Sequence, residues 1–172
     1  AIKHRKWQKA MSLLRSRMAL GEQESTPIDS GNDPSSAHLQ DLLHSLYKDG
    51  APLSLIDAFT KRYPMSIYRK DGIQRLPLHI ACHSNYHTDF EKAELLIRLH
   101  AAGERQLARN LDHMKDLYHQ TPLFEAVKRR DPDAAKIVEA LVANFPAMAS
   151  SLDNQMRSPL HCYASGVDGS SI

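Results

Sequence analysis

The sequence predicts an all-α fold, a solenoid of about three and a half helix pairs joined by degenerate hairpin loops. Three observations carry that reading. First, the chain aligns with itself at an offset of 82 positions, which brings Leu55 onto Ile137, Ile56 onto Val138, Ala58 onto Ala140, Phe59 onto Leu141 and Tyr63 onto Phe145, and continues without a gap through Pro64 and Pro146, Asp71 and Asp153, Pro77 and Pro159, Leu78 and Leu160, and His79 and His161. Second, the apolar residues of each aligned stretch recur at three and four positions up to the aromatic, and proline follows, the pattern of a helix and its stop. Third, Asp116, Pro122 and Leu123 repeat the Asp to Pro-Leu spacing between the two aligned copies. A repeated helix pair that cannot cover its own apolar face has to stack on its neighbours.

The 172 residues, 42% hydrophobic and 24% charged, suffice for one domain. No run reaches the ~18 to 20 apolar residues of a membrane-spanning helix. Two cysteines, Cys82 and Cys162, are too few for a disulfide framework. They point to a reducing, intracellular compartment, cytoplasmic or nuclear. Residues 1–20 carry Lys3, Arg5, Lys6, Lys9, Arg15 and Arg17 and no acid, so this segment is +6 and the rest of the +2 chain is −4. The small overall charge predicts no general affinity for nucleic acid.

In chain order, residues 1–20 read as a basic amphipathic helix. Residues 21–37 (GEQESTPIDSGNDPSSA) hold four acids and one large apolar side chain, Ile28, and bury too little to offset ordering entropy. They read as a flexible acidic linker. A repeat domain is expected over 38–165, opening with a degenerate unit before Pro64, and a disordered tail over 166–172. In the next unit a short first helix starts at Leu76-Pro77-Leu78-His79 and runs to about Ser84. A second helix follows, capped by a Thr88/Glu91 box and ending near Gly103. The third unit opens at Thr121-Pro122-Leu123-Phe124, and Asp131-Pro132 supplies an N-cap and first-turn proline for its second helix. Leu78, Leu96, Leu99, Leu123, Val138 and Leu141 are the expected core, with Ala81, Ala126 and Ala135 between layers. The first residue is not Met, and GVDGSSI follows a helix start with no second helix, so the sequence reads as a fragment of a longer chain.

The stretches Leu76-Pro77-Leu78-His79-Ile80-Ala81, Thr121-Pro122-Leu123-Phe124-Glu125-Ala126 and Ser158-Pro159-Leu160-His161, with Asp71, Asp116 and Asp153 six residues before each proline, resemble ankyrin repeats. The match departs from the family in its spacing: Pro77 to Pro122 is 45 residues and Pro122 to Pro159 is 37, against a period of about 33. The turn glycine occurs only at Gly72, which puts a regular hairpin finger in doubt. The resemblance implies a protein-protein interaction module or scaffold without catalysis, cofactor or small-molecule substrate. Its concave and loop positions would be Arg69, Lys70, Gln74, Arg75, Tyr118, His119, Gln120, Met156 and Arg157. Helix-one positions facing the same way would be His83, Tyr86, Lys128 and Arg129, a mixture suited to a partner of acidic character. The segment from Glu104 to Gln120 is longer than its counterparts. Leu107, Leu111 and Met114 lie at helical spacing in it, so an extra helical turn is expected there, either binding a partner or folding back on the stack.

Residues Arg5-Lys6-Trp7-Gln8-Lys9 resemble the calmodulin-binding segment of myosin light chain kinases, with Trp7, Met11, Leu14 and Leu20 as the apolar anchors. That resemblance implies a second function class, a regulatory module responding to calcium-loaded calmodulin or to an anionic membrane. A membrane-surface helix, a nucleic-acid arm, a presequence remnant and a helix packed in a further repeat remain open for the same residues. His79, Cys82, His83 and His87 crowd one unit, and a metal or a Cys/His nucleophile pair is conceivable. The competing expectation is structural: His79 bonded within a turn, and Cys82 and Cys162 filling small buried slots. No phosphate loop, serine elbow or HExxH pattern occurs.

Overall fold

The computed structural model describes residues 42–86, 88–103 and 111–165. Within them every regular element is helical and no strand occurs. Seven α-helices follow one another: α1 (Leu42–Lys48), α2 (Leu53–Arg62), α3 (Pro77–Cys82), α4 (Phe90–Gly103), α5 (Pro122–Val127), α6 (Ala134–Asn144) and α7 (Pro159–Ala164). The helices pair as α1 with α2, α3 with α4 and α5 with α6, while α7 begins a fourth pair. First helices touch in the order α1, α3, α5, α7, and second helices in the order α2, α4, α6. The pairs therefore form a row in which each lies against the next. No helix among the described residues is long and apolar enough to cross a membrane. The basic segment 1–20, the linker 21–37 and the tail 166–172 lie outside the described residues, as do Trp7, Met11, Leu14, Leu20, His87 and Leu107.

The offset of 82 reappears in the backbone. Helix α2 stops at Tyr63 (φ −127°, ψ 70°) and α6 stops at Phe145 (φ −135°, ψ 65°). In each case the aromatic amide donates back to the carbonyl four residues earlier, Tyr63 to Phe59 at 2.8 Å and Phe145 to Leu141 at 2.7 Å. The following prolines cannot continue the α-helical ladder. They open 3₁₀ turns, Pro64–Tyr68 and Pro146–Ser150. Pro77, Pro122 and Pro159 each occupy the first position of a first helix, where a missing N–H costs nothing.

The core runs between the two rows of helices. Leu78, Ala81, Leu96, Leu123, Ala126 and Leu141 are buried as expected, with Tyr47, Phe59, Phe124 and Ile137 beside them. Leu99 and Val138 are half-buried, and Ala135 is exposed rather than held between layers, because no further second helix lies against α6 among the described residues. Tyr47 closes the first junction by donating its hydroxyl to the Lys92 carbonyl at 2.9 Å. In the insertion Leu111–Met114 is a 3₁₀ turn. Met114 is fully buried and Leu111 packs on the core, so this part of the apolar edge folds back on the stack.

One of the two predicted helix caps is replaced. The Thr88 hydroxyl has no partner among the described residues, and the Phe90 amide at the start of α4 donates instead to the Asp133 carboxylate of the next pair at 3.2 Å. A cap supplied by the neighbouring pair is invisible to a rule about adjacent residues. At α6 Asp131 Oδ1 accepts the Asp133 amide at 3.0 Å across Pro132, the capping bond expected there, and Asp133 caps nothing with its own side chain. Leu96→Ala and Leu141→Ala should each cost about 2–5 kcal/mol in urea unfolding, whereas the half-buried Val138→Ala should cost clearly less. Equal losses at the three positions would contradict the row of contacts described here.

Candidate functional site: the aspartate-rooted loops

Three loops stand at the junctions between successive pairs, and all three are built on one carboxylate. Asp71 Oδ1 accepts the amides of Ile73 and Arg75, at 3.1 and 2.9 Å. Asp116 Oδ1 accepts those of Tyr118 and Gln120, at 2.8 and 2.9 Å. Asp153 Oδ1 accepts those of Gln155 and Arg157, both at 2.9 Å. In each loop the aspartate amide donates to the carbonyl four residues on, which closes the turn. The fourth residue of each turn has positive φ: Gln74 at 64°, His119 at 61° and Met156 at 59°. The left-handed conformation therefore falls on side chains that adopt it reluctantly, two residues after Gly72 in the first copy. The fingers whose regularity the scarce glycine put in doubt are present in all three copies as tight turns without strands.

The loops are also joined to each other. The Leu117 amide donates to the Ile73 carbonyl and the Asn154 amide to the Tyr118 carbonyl, each at 3.1 Å. Below them the helices reach up: His79 Nε2 bonds the Gln120 carbonyl at 3.1 Å while its Nδ1 accepts the Leu76 amide at 3.0 Å. His44 Nε2 bonds the Arg75 carbonyl at 2.8 Å in the same way. The His44 tie was not anticipated. Its signal is the Leu43-His44 step, which repeats Leu78-His79 and Leu160-His161 without the proline.

Electrostatics separates the middle loop from the outer two. Burial alone would raise the Asp71 carboxyl, but the amide and guanidinium of Arg75 outweigh it and hold the group below the usual carboxylate range; Arg75 Nη2 lies 2.8 Å away. Arg157 does the same for Asp153 at 2.9 Å. Asp116 has Gln120 where the others have arginine, and burial leaves its carboxyl raised. Gln120 instead reaches forward to Asp153 Oδ2 at 3.3 Å, and Lys128 bonds both Gln120 and Glu125.

The residues expected to meet a partner divide three ways. Gln74, Tyr118, His119 and Met156 are exposed at the loop tips, and Met156 has 73% of its surface free. Arg69, Lys70, Arg75, His83, Tyr86, Gln120 and Lys128 are half-buried, and several have internal partners: Lys70 donates to the Lys115 carbonyl, and His83 lies 3.6 Å from Glu125. Arg157 is exposed but forked onto Asp153. Arg129 is no surface group. It is buried, donating to the carbonyls of Ala81 (3.3 Å) and Thr88 (2.9 Å) across the junction, with Nε 2.8 Å from Asp131. Arg75, Lys128 and Arg157 each face a carboxylate of this chain, so the face offers less free positive charge to an acidic partner than the residue types suggested.

The histidine and cysteine cluster is occupied structurally. Burial drives the His79 pKa down to about 3 against the hydrogen bond to Gln120, and keeps the ring neutral. Burial likewise pushes the Cys82 thiol far up, against the field of Arg129. Burial also lowers His83 despite Glu125. Among the described residues no group of three His, Cys, Asp or Glu side chains could hold a metal ion. No protein-family model, curated protein or solved structure matches the chain.

Two outcomes follow from this geometry. Because the folded state binds a proton at His79 only near pH 3 while an unfolded histidine does so near 6.5, its contribution is complete above pH 6.5 and is lost progressively between 6.5 and about 3. Asp71 and Asp153 lose theirs only below the ordinary carboxylate range. His79→Phe should lower stability at pH 7.5 by about 1–3 kcal/mol, and its deficit should shrink at pH 4.5; a constant deficit would show that the ring is not held neutral. Met156→Gly should raise urea stability by about 0.5–1 kcal/mol, because glycine alone takes that φ without steric cost, and a loss would contradict the assigned turn.

Proposed function

We propose that this chain is an ankyrin-type repeat protein that works as a non-catalytic protein-interaction module, binding its partner through the row of loop tips. The observation that carries the proposal is the threefold loop at Asp71, Asp116 and Asp153, each closed on its own carboxylate and bonded to its neighbour. Such a row holds Gln74, Tyr118, His119 and Met156 with their backbone already ordered, so a partner need not supply that ordering entropy. The tips combine an aromatic ring, an imidazole and a flexible thioether, the mixed chemistry of adaptable protein interfaces. The non-catalytic part is supported by the cluster that came nearest to chemistry: His79 has both ring nitrogens on backbone groups, and Cys82 is a buried thiol.

The array fixes the tips in place, so a partner should respond to their side chains without any change in the fold. Affinity capture on the immobilised chain, run beside the triple variant Tyr118→Ala, His119→Ala and Met156→Ala, should yield proteins retained by the first and lost from the second while the melting profile stays two-state. An identical retained set would overturn the loop-tip reading. Replacing the buried Arg129 with Met should instead cost about 2–3 kcal/mol of stability, since the Ala81 and Thr88 carbonyls lose their charged donor.

A further inference from the structure

Two of the three loops close their aspartate with an arginine from within. Arg75 Nε and Nη2 donate to Asp71 Oδ2 at 3.0 and 2.8 Å, and Arg157 Nε and Nη2 donate to Asp153 Oδ2 at 3.0 and 2.9 Å. The position is open to water even when filled, since these arginine side chains keep 18% and 45% of their surface exposed. In the middle loop Gln120 takes that place in the sequence and its side chain turns away, donating to Asp153 Oδ2 at 3.3 Å and accepting from Lys128 Nζ at 3.2 Å. Asp116 Oδ1 still accepts its two loop amides, but no described residue donates to Oδ2. A side chain of a residue only 7% exposed is thus left with one of its two oxygens unused. Burial raises its carboxyl against the Gln120 and Tyr118 amides, with Glu125 adding to the rise and Lys128 opposing it.

We propose that Asp116 is the recognition point for an arginine side chain of the partner protein, whose guanidinium takes on Oδ2 the place that Arg75 and Arg157 hold in the flanking loops. The inference rests on the loop-tip reading and names the chemistry of its partner. In both filled copies two donors from one edge of the guanidinium converge on the carboxylate, a planar fork that a lysine ammonium does not present. The sign of the charge follows by complementarity. Lys115 and Lys128 already face Asp112 and Glu125, so the charge that the middle loop leaves for a partner is the Asp116 carboxylate. Leu117 and Tyr118 follow it in the chain, both exposed, and offer apolar surface to the residues beside that arginine. A cation that meets a carboxylate already desolvated by the fold avoids part of the usual cost of pairing.

The probe is N-acetyl-arginine amide, titrated at constant ionic strength into the ¹⁵N-labelled 172-residue chain, with N-acetyl-citrulline amide as its uncharged match. The Tyr118 and Gln120 amides should show saturable shifts at concentrations on the order of 10–50 mM, the range open to one charge-assisted contact. The loops at Asp71 and Asp153 should stay silent. Citrulline amide, Asp116→Asn and Gln120→Arg should each weaken the response about tenfold or more, the last because it fills the place from within. Arg75→Gln should open a second responding site at the amides of residues 73 and 75. No saturable response in the parent, or an equal one to citrulline amide, overturns the proposal. So does a response that appears only when Arg5, Arg15, Arg17, Arg105 and Arg109 are made lysine, since the chain's own arginine would then be the occupant. Self-association in sedimentation that Gln120→Arg abolishes overturns it equally, because a second copy would supply the group. In affinity capture Gln120→Arg should release proteins that the parent retains. Capture unchanged by Gln120→Arg but abolished by the triple loop-tip variant removes the arginine and leaves the loop-tip reading standing; capture indifferent to the triple variant removes the loop-tip reading itself.

Discussion

Every helix pair in this chain has an apolar side that only the next pair can cover. The first helices α3, α5 and α7 are six residues each, too short to persist alone, so their stability comes from packing rather than propensity. The same register position is closed where a described neighbour packs on it, as at Ile56, and half open at Val138, against which no further second helix lies among the described residues. Cooperativity in such a row passes from pair to pair, and each junction carries a share of the whole.

Polar groups make the junctions specific. Apolar faces built from leucine and alanine would tolerate sliding, but Tyr47 on Lys92, Arg129 on Ala81 and Thr88, and Asp133 on Phe90 each fix one pair against the next by a directional bond. Arg129 is the most demanding of these. A buried guanidinium is tolerated only when its charge and donors are answered, and here two carbonyls from the preceding pair take its terminal nitrogens while the Asp131 carboxylate of its own pair lies 2.8 Å from Nε. Above the helices the aspartate-rooted loops add a second layer of ties at the same junctions.

Much of this was legible in the sequence, and the misses share one cause. The offset of 82 predicted two helix stops that agree to within several degrees in φ and ψ, and the Asp to Pro spacing located all three loops. Local rules failed where a partner comes from another pair. Thr88 and Glu91 satisfy a capping pattern along the chain, yet the cap arrives from Asp133, 43 residues later. Arg129 reads as a solvated cation at a helix end because nothing nearby in sequence announces the carbonyls of Ala81 and Thr88. The turn conformation was obscured differently: glycine was sought at the special φ, but Gln74, His119 and Met156 occupy it. Carboxylate bonds to two amides per loop hold those residues there at a local steric cost of roughly 1–2 kcal/mol each.

Two departures from the repeat meet at the junction of the third loop. His44 and His79 each tie a first helix to the loop above it, but the third pair has Phe124 in their place, fully buried and unable to donate. The Thr121 hydroxyl at the start of the same helix is buried without a partner among the described residues. The third loop is therefore held from the side, by Asn154 on the Tyr118 carbonyl and by Gln120 on Asp153, rather than from below. Gln120 can do this because it is not an arginine forked onto its own aspartate. The glutamine that leaves Asp116 without a forked guanidinium is the residue that replaces the missing histidine tie, so the two departures from the repeat compensate each other at the junction leading to α7.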